Sequence, residues 1–434
     1  MLVPQGASEW APAHVTCVVL RPRGLTRPFC PPGALGPRSG AIIVGSAPRK
    51  RSEFLPFSPP TIGEEEIQEV VDTLRSRWIS TGPKAKRFES EFATYLQAPG
   101  ALALNSCTAA LHTALKALGL GPGDEVITTP LTFAASVNVI EHVGARPVLV
   151  DVEPDTLNID PRAVAAAITP RTRALLPVHY AGHPADLDAL HTLANAHGCT
   201  IVEDAAHALP ACYKGRPIGS AGNPVAFSFY ATKNLTTGEG GMLTADPDFL
   251  ARARVISLHG MSRDAWKRYD EGGSWFYEIL LPGFKYNMTD IQAALGLWQL
   301  RKLAQAQQRR REVVRAYDRA FAAEPALELP VTRPEVEHAW HLYVLRLRTD
   351  ALRIGRDRFI QELAERNIGT SVHFIPIHIH PYYRDKYAFT PGSFPVAYDN
   401  YQRMLSLPLN PGMSERDVSD VIEAVLDVVR SFRT

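Results

Sequence analysis

The sequence predicts an α/β protein, with a larger domain built on a mostly parallel sheet and a smaller C-terminal α+β domain. From about residue 60, short apolar runs typical of buried strands alternate with helical stretches. This alternation is typical of a parallel sheet that is covered by helices on both faces. We expect the larger domain at residues 52–298 and the smaller one at 299–434. Residues 1–51 are rich in Pro, Gly and Arg, and we predict that they form a disordered extension.

The individual elements are predicted from the spacing of apolar residues and from residues that end helices. Ile67, Val70, Val71 and Leu74 have helical spacing and predict the first helix, and a glycine cluster at 119–123 ends the second. The helices predicted in the larger domain are 63–76, 109–118, 134–143 and 186–197. The strands predicted there are 101–104, 126–129, 147–152, 175–180, 200–204, 225–230 and 241–244.

The last third of the chain is predicted to contain longer helices and only two strands. A capping box, Thr289-Asp290-Ile291-Gln292, opens a helix that we expect to end near residue 300, before a charged helix at 309–323. The elements predicted after these are strands at 341–348 and 369–374 and helices at 358–366 and 415–432.

Composition excludes several classes of protein. The 434 residues have a formal net charge of +1, so no basic face typical of a nucleic-acid partner is expected. No apolar stretch reaches the roughly 18 residues of a membrane-spanning helix. The five cysteines show neither metal-site nor disulfide spacing, which predicts no metal site and favours a reducing cytoplasm.

The most informative pair of residues is Lys233 and Asp204, each following a predicted strand. A lysine amine can form a Schiff base with an aldehyde, and a carboxylate can keep a pyridinium nitrogen protonated. Together they indicate pyridoxal 5'-phosphate (PLP) chemistry. Taken singly, such a lysine is most often a solvated surface charge and such an aspartate a helix cap or loop acid. The glycine-rich stretch 238–241 after Lys233 favours the functional interpretation, because glycine lets backbone approach a ligand closely.

Five further residues extend the pattern. Cys107 and Thr108 begin a predicted helix after a strand, where free N–H groups bind phosphate, although the same turn can be an ordinary helix cap. Ser228 could add a hydroxyl to the same phosphate. Phe133 could stack on the cofactor ring or pack in the core. His207 could contact the phenolic oxygen of the ring or be an ordinary loop histidine.

In this order the motifs resemble the DegT/DnrJ/EryC1/StrS sugar aminotransferases, which are PLP enzymes of fold type I. The resemblance covers residues 52–434. The stretches that carry it are 78–83, 105–111, 178–182, 203–207, 233–234, 238–241, 259–260, 285–290 and 406–409.

The resemblance implies roles for these residues. Lys233 matches the Schiff-base lysine, Asp204 the partner of the pyridinium and His207 the neighbour of the ring oxygen. The other cofactor positions are matched by Cys107, Thr108 and Ser228 at the phosphate, Phe133 on the ring face, and Asn287, which reaches the phosphate from the neighbouring subunit. Asn287 therefore implies an obligate homodimer with shared active sites. Two departures exist: many members have glycine at the position of Cys107, and residues 1–51 have no counterpart.

The implied substrates are an amino-acid donor, L-glutamate, and a nucleotide-linked keto sugar. Residues 177–187, 213–219 and 339–342 resemble members that form UDP-4-amino-4-deoxy-L-arabinose. Residues 373–383 resemble members that form UDP-4-amino-4,6-dideoxy-N-acetylhexosamines. Both likenesses imply amination at C4 of a UDP-linked 4-keto sugar. The candidate sugar-binding side chains are Tyr180, His259, Lys285 and His373.

Other functions are also open. The amino group could go to C3, or to a dTDP- or GDP-linked keto sugar. An amino-acid transaminase would place an arginine for the substrate carboxylate late in the chain, where Arg348, Arg353 and Arg366 lie without a recognisable motif. A non-catalytic regulator could also keep the fold. Lys233 argues against the dehydratases of this fold, which have histidine at its position.

Overall fold

The structure is a computed structural model, and it describes residues 50–262 and 276–434. The predicted extension therefore lies outside the described residues, except for its end. Arg51 is already attached to the folded chain, because its guanidinium pairs with Asp417 and Asp420 at 2.8 and 2.6 Å.

Helices and strands alternate along most of the described chain. The helices are α1 (Glu64–Ser76), α2 (Pro83–Leu96), α3 (Cys107–Ala117), α4 (Ala134–His142), α5 (Pro161–Ala167), α6 (Leu187–His197), α7 (Pro247–Ser257), α8 (Asp290–Phe321), α9 (Arg356–Glu365), α10 (Pro381–Tyr387), α11 (Pro395–Arg403) and α12 (Glu415–Phe432). The strands are β1 (Ala101–Leu104), β2 (Glu125–Thr128), β3 (Arg146–Leu149), β4 (Thr172–Leu175), β5 (Thr200–Ile201), β6 (Glu203–Asp204), β7 (Cys212–Tyr213), β8 (Arg216–Pro217), β9 (Val225–Ser228), β10 (Gly241–Thr244), β11 (Leu327–Glu328), β12 (Val336–Glu337), β13 (Tyr343–Leu347) and β14 (Met404–Leu407). Every described helix is too short or too polar to cross a membrane.

The larger sheets have the predicted parallel character. One sheet has the order β3-β2-β4-β5 with all strands parallel. The second has the order β1-β10-β9-β6, in which β6 and β9 are parallel and β10 runs opposite to both of its neighbours. A parallel bridge between Val178 and Asp204 links the chain after β4 to β6. Strands such as β2 and β10 are buried along their whole length, as strands with helices on both faces must be. The mixed α/β fold with a parallel sheet is thus confirmed.

Five helices were missed by the sequence analysis, and they share one signal. Each of α2, α5, α7, α10 and α11 begins with proline at the first turn. Proline suits this place because its fixed φ angle is helical and the N–H that it lacks would have no helical partner. The prolines at 83, 161, 247, 381 and 395 therefore open helices instead of marking loops.

Helix α8 corrects another prediction, because it is one helix from Asp290 to Phe321 and not two. Its predicted capping box between Thr289 and Gln292 is present. Residues 301–308 contain neither glycine nor proline and consist mainly of strong helix formers, so nothing interrupts the helix. The buried face also continues through this stretch, at Leu303 and Gln307. The predicted domain boundary at 298/299 thus falls inside α8, and the division into two domains stays a prediction.

The C-terminal part forms a small antiparallel sheet, β11-β13-β14, with its own apolar core. Buried side chains from the sheet and from α8, α9 and α12 meet there, including Tyr343, Phe359 and Val425. The strand predicted at 369–374 is wrong, since only Ser371 forms a bridge, to Ser406. The chain leaves the sheet after this bridge, and Phe374 packs against His207 of the larger sheet.

Asp290 connects the start of α8 to the start of α2. Its carboxylate is buried, and Oδ1 accepts hydrogen bonds from the backbone N–H groups of Gly82 and Ala85 at 2.8 and 2.9 Å. Oδ2 accepts a third from Lys84 at 3.0 Å. These N–H groups have no partner within α2, so Asp290 supplies a cap that Gly82 cannot provide.

We expect the substitution Asp290→Asn to lower the free energy of unfolding by about 1.5–3 kcal/mol, because an amide NH₂ would face the Lys84 N–H and one charge-assisted bond would be lost. Asp248, an exposed acid in the first turn of α7, is the matched control. Asp248→Asn should change stability by less than about 0.5 kcal/mol. Denaturant titration measures both effects, and equal effects of the two substitutions would contradict this role of Asp290.

Candidate active site

The site lies where several strands of the larger sheets end. Asp204 ends β6, Ser106 follows β1, and Lys233 lies in the loop after β9. Strand β10 runs the opposite way, so its first residue, Gly241, lies at the same edge. Ligands of open α/β sheets bind beyond the carboxyl ends of the strands, and the sequence-predicted residues converge at such an edge.

Asp204 is held in place by contacts to both of its carboxylate oxygens. It is buried, and its Oδ2 accepts a hydrogen bond of 2.7 Å from the hydroxyl of Ser136, which is itself buried in the first turn of α4. Its Oδ1 accepts a hydrogen bond of 3.0 Å from the N–H of Ala206. The backbone of Asp204 bonds to Pro177 and His179 of the neighbouring chain segment. The carboxylate therefore has a fixed position at the floor of the site.

The turn after β1 brings the N-terminus of α3 close to β10. Ser106 caps the helix by accepting the N–H of Ala109 at 3.1 Å. A Cβ atom on Gly241 would lie 2.4 Å from the carbonyl carbon of Ser106 and 2.5 Å from the nitrogen of Cys107. Only glycine therefore permits this approach. Ser106 is therefore the cap of α3. Of the two residues that follow, Cys107 is buried and Thr108 is exposed.

The amine of Lys233 loses its proton more easily than that of an ordinary lysine. The residue is half-buried, and withdrawal of the amine from water lowers its pKa from 10.5 to about 8. Cys107 and Asp204 act electrostatically in the opposite direction, which indicates that all three side chains share the site. The neutral, nucleophilic fraction near neutral pH is therefore much larger than that of an ordinary lysine, while the ammonium form is still the more abundant one. Burial, together with Asp204, raises the pKa of the Cys107 thiol well above its usual range.

His207 faces two aromatic rings and lacks a partner for one nitrogen. Its ring lies 4.4 Å from that of His341 and is stacked on Phe374 at 5.6 Å between centroids. Burial, together with the charges of Lys233 and His373, lowers the pKa of His207 well below its ordinary value. Its buried Nδ1 has no hydrogen-bond partner in the described part of the chain. A neutral imidazole with one unused nitrogen is suited to contact a polar ligand atom.

Phe133 does not pack in the core. It is the N-cap residue of α4 and 63% of its surface is exposed. Its only ring neighbour among the described residues is Phe374, at 6.0 Å. Of the two interpretations left open by the sequence, core packing is wrong, and an exposed aromatic face is available to a ligand.

The four candidate sugar-binding residues fall into two groups. In the first, the buried Tyr180 donates its hydroxyl hydrogen bond to the backbone carbonyl of His373. Burial, together with the charge of Lys233, lowers the pKa of His373 to about 4. His373 is thus within electrostatic range of Lys233. The Tyr180 hydroxyl is used within the fold, which favours a supporting role for Tyr180.

The second group consists of His259 and Lys285, which lie close to Asn287. His259 is exposed and follows Leu258, which forms an antiparallel bridge to the exposed Lys285. Lys285 and Asn287 line a cavity of about 380 Å³. The Asn287 amide donates to the hydroxyl of Thr81 at 2.6 Å. Within the described chain, no interaction joins this group to Lys233.

Three residues of the site were missed by the sequence analysis: Ser136, Phe374 and His341. Ser136 carries no local signal, since it reaches the site only through packing, whereas Phe374 lies within the stretch 373–383 that resembles family members. His341 lies in the Ala-Trp-His-Leu stretch that resembled the family, which was the available signal.

The tautomer of His341 follows from its neighbour. The Nδ2 atom of Asn234 donates to the carbonyls of Leu209 and Ala339, both at 2.8 Å. The Oδ1 atom of Asn234 therefore faces Nδ1 of His341 at 3.2 Å, and this nitrogen must carry the hydrogen. Asn234 thus couples the loop of Lys233 to the imidazole that packs on His207.

The residues present fit PLP. The tight turn against Gly241 leaves the N–H groups at the start of α3 for a phosphate, with Thr108 and Ser228 nearby in the same strand-end turns. A flat ring with a polar substituent would give the Nδ1 of His207 a hydrogen-bond partner and would cover the exposed face of Phe133. Within the described residues, no group of His, Cys, Asp and Glu could hold a metal ion.

The fold and site define a PLP-dependent aminotransferase of fold type I. The sequence model of the DegT/DnrJ/EryC1/StrS aminotransferase family matches residues 60–426, and the chain belongs to this family. It is 56% identical over 384 residues to the spore coat polysaccharide biosynthesis protein SpsC of Bacillus subtilis, covering 88% of this chain and 99% of SpsC.

Solved structures agree with this assignment. The Spr1654 protein of Streptococcus pneumoniae in its PMP-form is 40% identical, with a TM-score of 0.82 over 87% of this chain and 99% of that one. Its PLP-form has a TM-score of 0.81. The sugar aminotransferase CalS13 of Micromonospora echinospora is 30% identical, with a TM-score of 0.78 over 86% of this chain and 99% of that one. The protein is a PLP-dependent sugar aminotransferase.

The lowered pKa of Lys233 predicts how the apoprotein captures PLP. Below pH 8 the ammonium form dominates and capture is slow, and above it the amine dominates. We expect the capture rate, followed by visible absorbance, to rise through pH 8 and to level off above it. A rate that keeps rising to about pH 10 would show an unperturbed lysine and contradict this prediction. Lys233→Ala supplies the baseline.

Proposed function

We propose that the protein transfers an amino group from L-glutamate to C4 of a UDP-linked 4-keto sugar, in the biosynthesis of a cell-surface polysaccharide. The observation that carries the proposal is the Lys233 amine, with its lowered pKa, beside the buried carboxylate of Asp204. The UDP-sugar and C4 assignments are supported by the likeness of residues 177–187, 213–219 and 339–342 to enzymes of that specificity. The polysaccharide pathway is supported by the identity to SpsC.

The proposed catalytic roles follow from charge and position. PLP, when bound, supplies an aldehyde for amines and a ring that delocalises the electron pair left at the donor's α-carbon. Lys233 holds the cofactor and, once displaced by the donor amine, moves a proton at the donor's α-carbon as general base and acid. The negative charge of Asp204 would keep the ring nitrogen protonated. Hydrogen bonds from Ser136 and Ala206 fix the position of this carboxylate.

The remaining residues would bind and orient. Cys107 and Thr108 offer N–H groups at the start of α3, and Ser228 offers a hydroxyl, to the phosphate. His207 contacts the ring oxygen and Phe133 covers one ring face. His373 would contact the sugar, a role supported by its electrostatic coupling to Lys233, and Tyr180 holds the backbone carbonyl of His373.

A homodimer with shared sites is part of the proposal. Asn287 bridges Leu104 at the end of β1, and within the described residues no interaction joins Asn287, Lys285 or His259 directly to Lys233. We infer that these residues act on the site of a neighbouring subunit. Apolar side chains are exposed near this group, among them Ile279 and Leu280, at 57% and 60%. Exposed apolar patches of this kind are typical of subunit interfaces. The cytoplasmic location stays a prediction.

Replacement of Lys233 by Ala should lower multiple turnover by about a thousandfold or more, because both the covalent attachment and the proton transfer are lost. Lys214→Ala is the matched control, since Lys214 is exposed and pairs with Asp188. It should keep full activity. The assay offers UDP-, dTDP- and GDP-linked 4-keto and 3-keto sugars with L-glutamate, and NMR locates the new amine. Amination only at C3, or only of dTDP- or GDP-linked sugars, would contradict the proposed specificity.

Subunit mixing tests the shared site. Lys233→Ala and Asn287→Ala homodimers are each expected to be impaired at limiting PLP. Random exchange of their subunits should restore about a quarter of wild-type activity, because half of the dimers then carry one intact site out of two. As a control, Lys233→Ala mixed with Asp204→Ala should restore nothing, since both residues belong to one chain's site. No recovery with Asn287→Ala would show that Asn287 acts within its own chain.

A further inference from the structure

A second cavity, of about 510 Å³, opens beside Lys233. Its walls come from the segment at 58–61, the loop after β9 and the middle of α8. The loop contributes Thr232 and Lys233, and α8 contributes mainly amide and basic side chains, among them Lys302, Arg309 and Arg310. This cavity is separate from the one lined by Asn287.

Arg310 is unusual among these basic side chains, because it is buried and has no acidic partner among the residues that the structure describes. It is 2% exposed, and its Nη1 donates to the backbone carbonyls of Leu409 and Trp340 at 2.8 and 3.3 Å. Its Nε has no hydrogen-bond partner within residues 50–262 and 276–434. Burial lowers the pKa of Arg310 to about 10, so the guanidinium is still charged at neutral pH. Burying an unpaired charge is costly, and a bound anion would offset that cost.

The other two basic groups that α8 adds to this wall are already neutralised. Lys302 pairs with Glu65 and Glu66 at 2.8 and 2.7 Å. Arg309 pairs with Glu312 and Glu415 at 3.1 and 2.6 Å. Among the described residues of the α8 wall, Arg310 is therefore the cation that is left for a ligand.

Arg310 also belongs to the surroundings of the catalytic lysine. Both residues line the same cavity. Burial lowers the pKa of His341 well below its ordinary value, and the charges of His207, Lys233 and Arg310 add to this effect. The Trp340 carbonyl that Arg310 contacts directly precedes His341 in the chain.

We propose that Arg310 binds a carboxylate of the amino-acid donor, in the cavity that it shares with Lys233. A guanidinium presents Nε–H and Nη2–H as parallel donors to a carboxylate, and the recorded bonds of Arg310 both come from Nη1. This inference rests on the proposed amino-acid donor and names the residue that recognises it.

The three arginines considered from the sequence do not offer such a site. Arg348 and Arg353 are exposed, and Arg353 donates to the carbonyls of Ser431 and Arg433. Arg366 is buried but pairs with Glu362 and Asp427, both at 2.8 Å. The carboxylate-binding arginine therefore comes from the long helix and not from the segment after residue 340.

The test separates the two half-reactions of the holoenzyme. Conversion of the PLP form by L-glutamate is followed by absorbance without any sugar, and the reverse step is followed with the PMP form and a keto sugar. The variants are Arg310→Gln and Arg310→Lys, with Arg315→Gln, an exposed position of α8 outside the cavity lining, as the matched control. Calorimetry with glutarate, a dicarboxylate without an amine, measures binding independently of turnover, and thermal unfolding reports on the fold.

We expect Arg310→Gln to raise the KM for L-glutamate and the Kd for glutarate by roughly tenfold or more, with the sugar half-reaction unchanged. Arg310→Lys, which keeps the charge, should recover part of the affinity, and Arg315→Gln should resemble the wild type. Wild-type glutarate binding by both Arg310 variants, or an equal loss in both half-reactions, would overturn the proposal. Failure of the wild type to aminate any keto sugar would refute the proposed function alone, because the donor and glutarate measurements use no sugar.

Discussion

The structure depends on keeping one lysine amine out of water next to a fixed carboxylate. Burial lowers the pKa of Lys233, whereas the electrostatic effects of Asp204 and Cys107 act in the opposite direction. The balance leaves an amine that is both nucleophilic and able to carry a proton. It requires that Asp204 cannot move, which the hydroxyl of Ser136 and the N–H of Ala206 ensure. The neighbouring imidazoles stay neutral for the same reason, because burial disfavours their charged forms.

Much of this arrangement could be predicted from the sequence, because strand ends of a parallel sheet share one edge. Once the strands before Ser106, Asp204 and Lys233 were assigned, their convergence followed from the fold class. Ser136 and His341 could not be found in this way. Ser136 reaches Asp204 from a helix 68 residues away in the chain, and His341 comes from beyond α8. Contacts at that distance depend on packing, which leaves no periodic pattern in the sequence.

The errors in secondary structure have local physical causes. The helices that were not predicted begin with proline, which fits the first helical position, as Pro83 and Pro247 show. The break expected after residue 300 had no glycine or proline to cause it. The segment at 369–374 forms a bridge at Ser371, and Phe374 then stacks on His207 instead of extending the ladder.

Helix α8 extends for 32 residues, which corresponds to about 48 Å of unbroken hydrogen-bonded backbone. Its first residue anchors α2 and its middle carries Arg310, so the helix acts as a stiff rod between the substrate-facing loops and the C-terminal sheet. A rod of this kind cannot flex at residue 298. Any closure of the C-terminal part over the sheet must therefore take its rotation from the loops at either end of the rod, near residues 287 and 324, or tilt the rod as a whole.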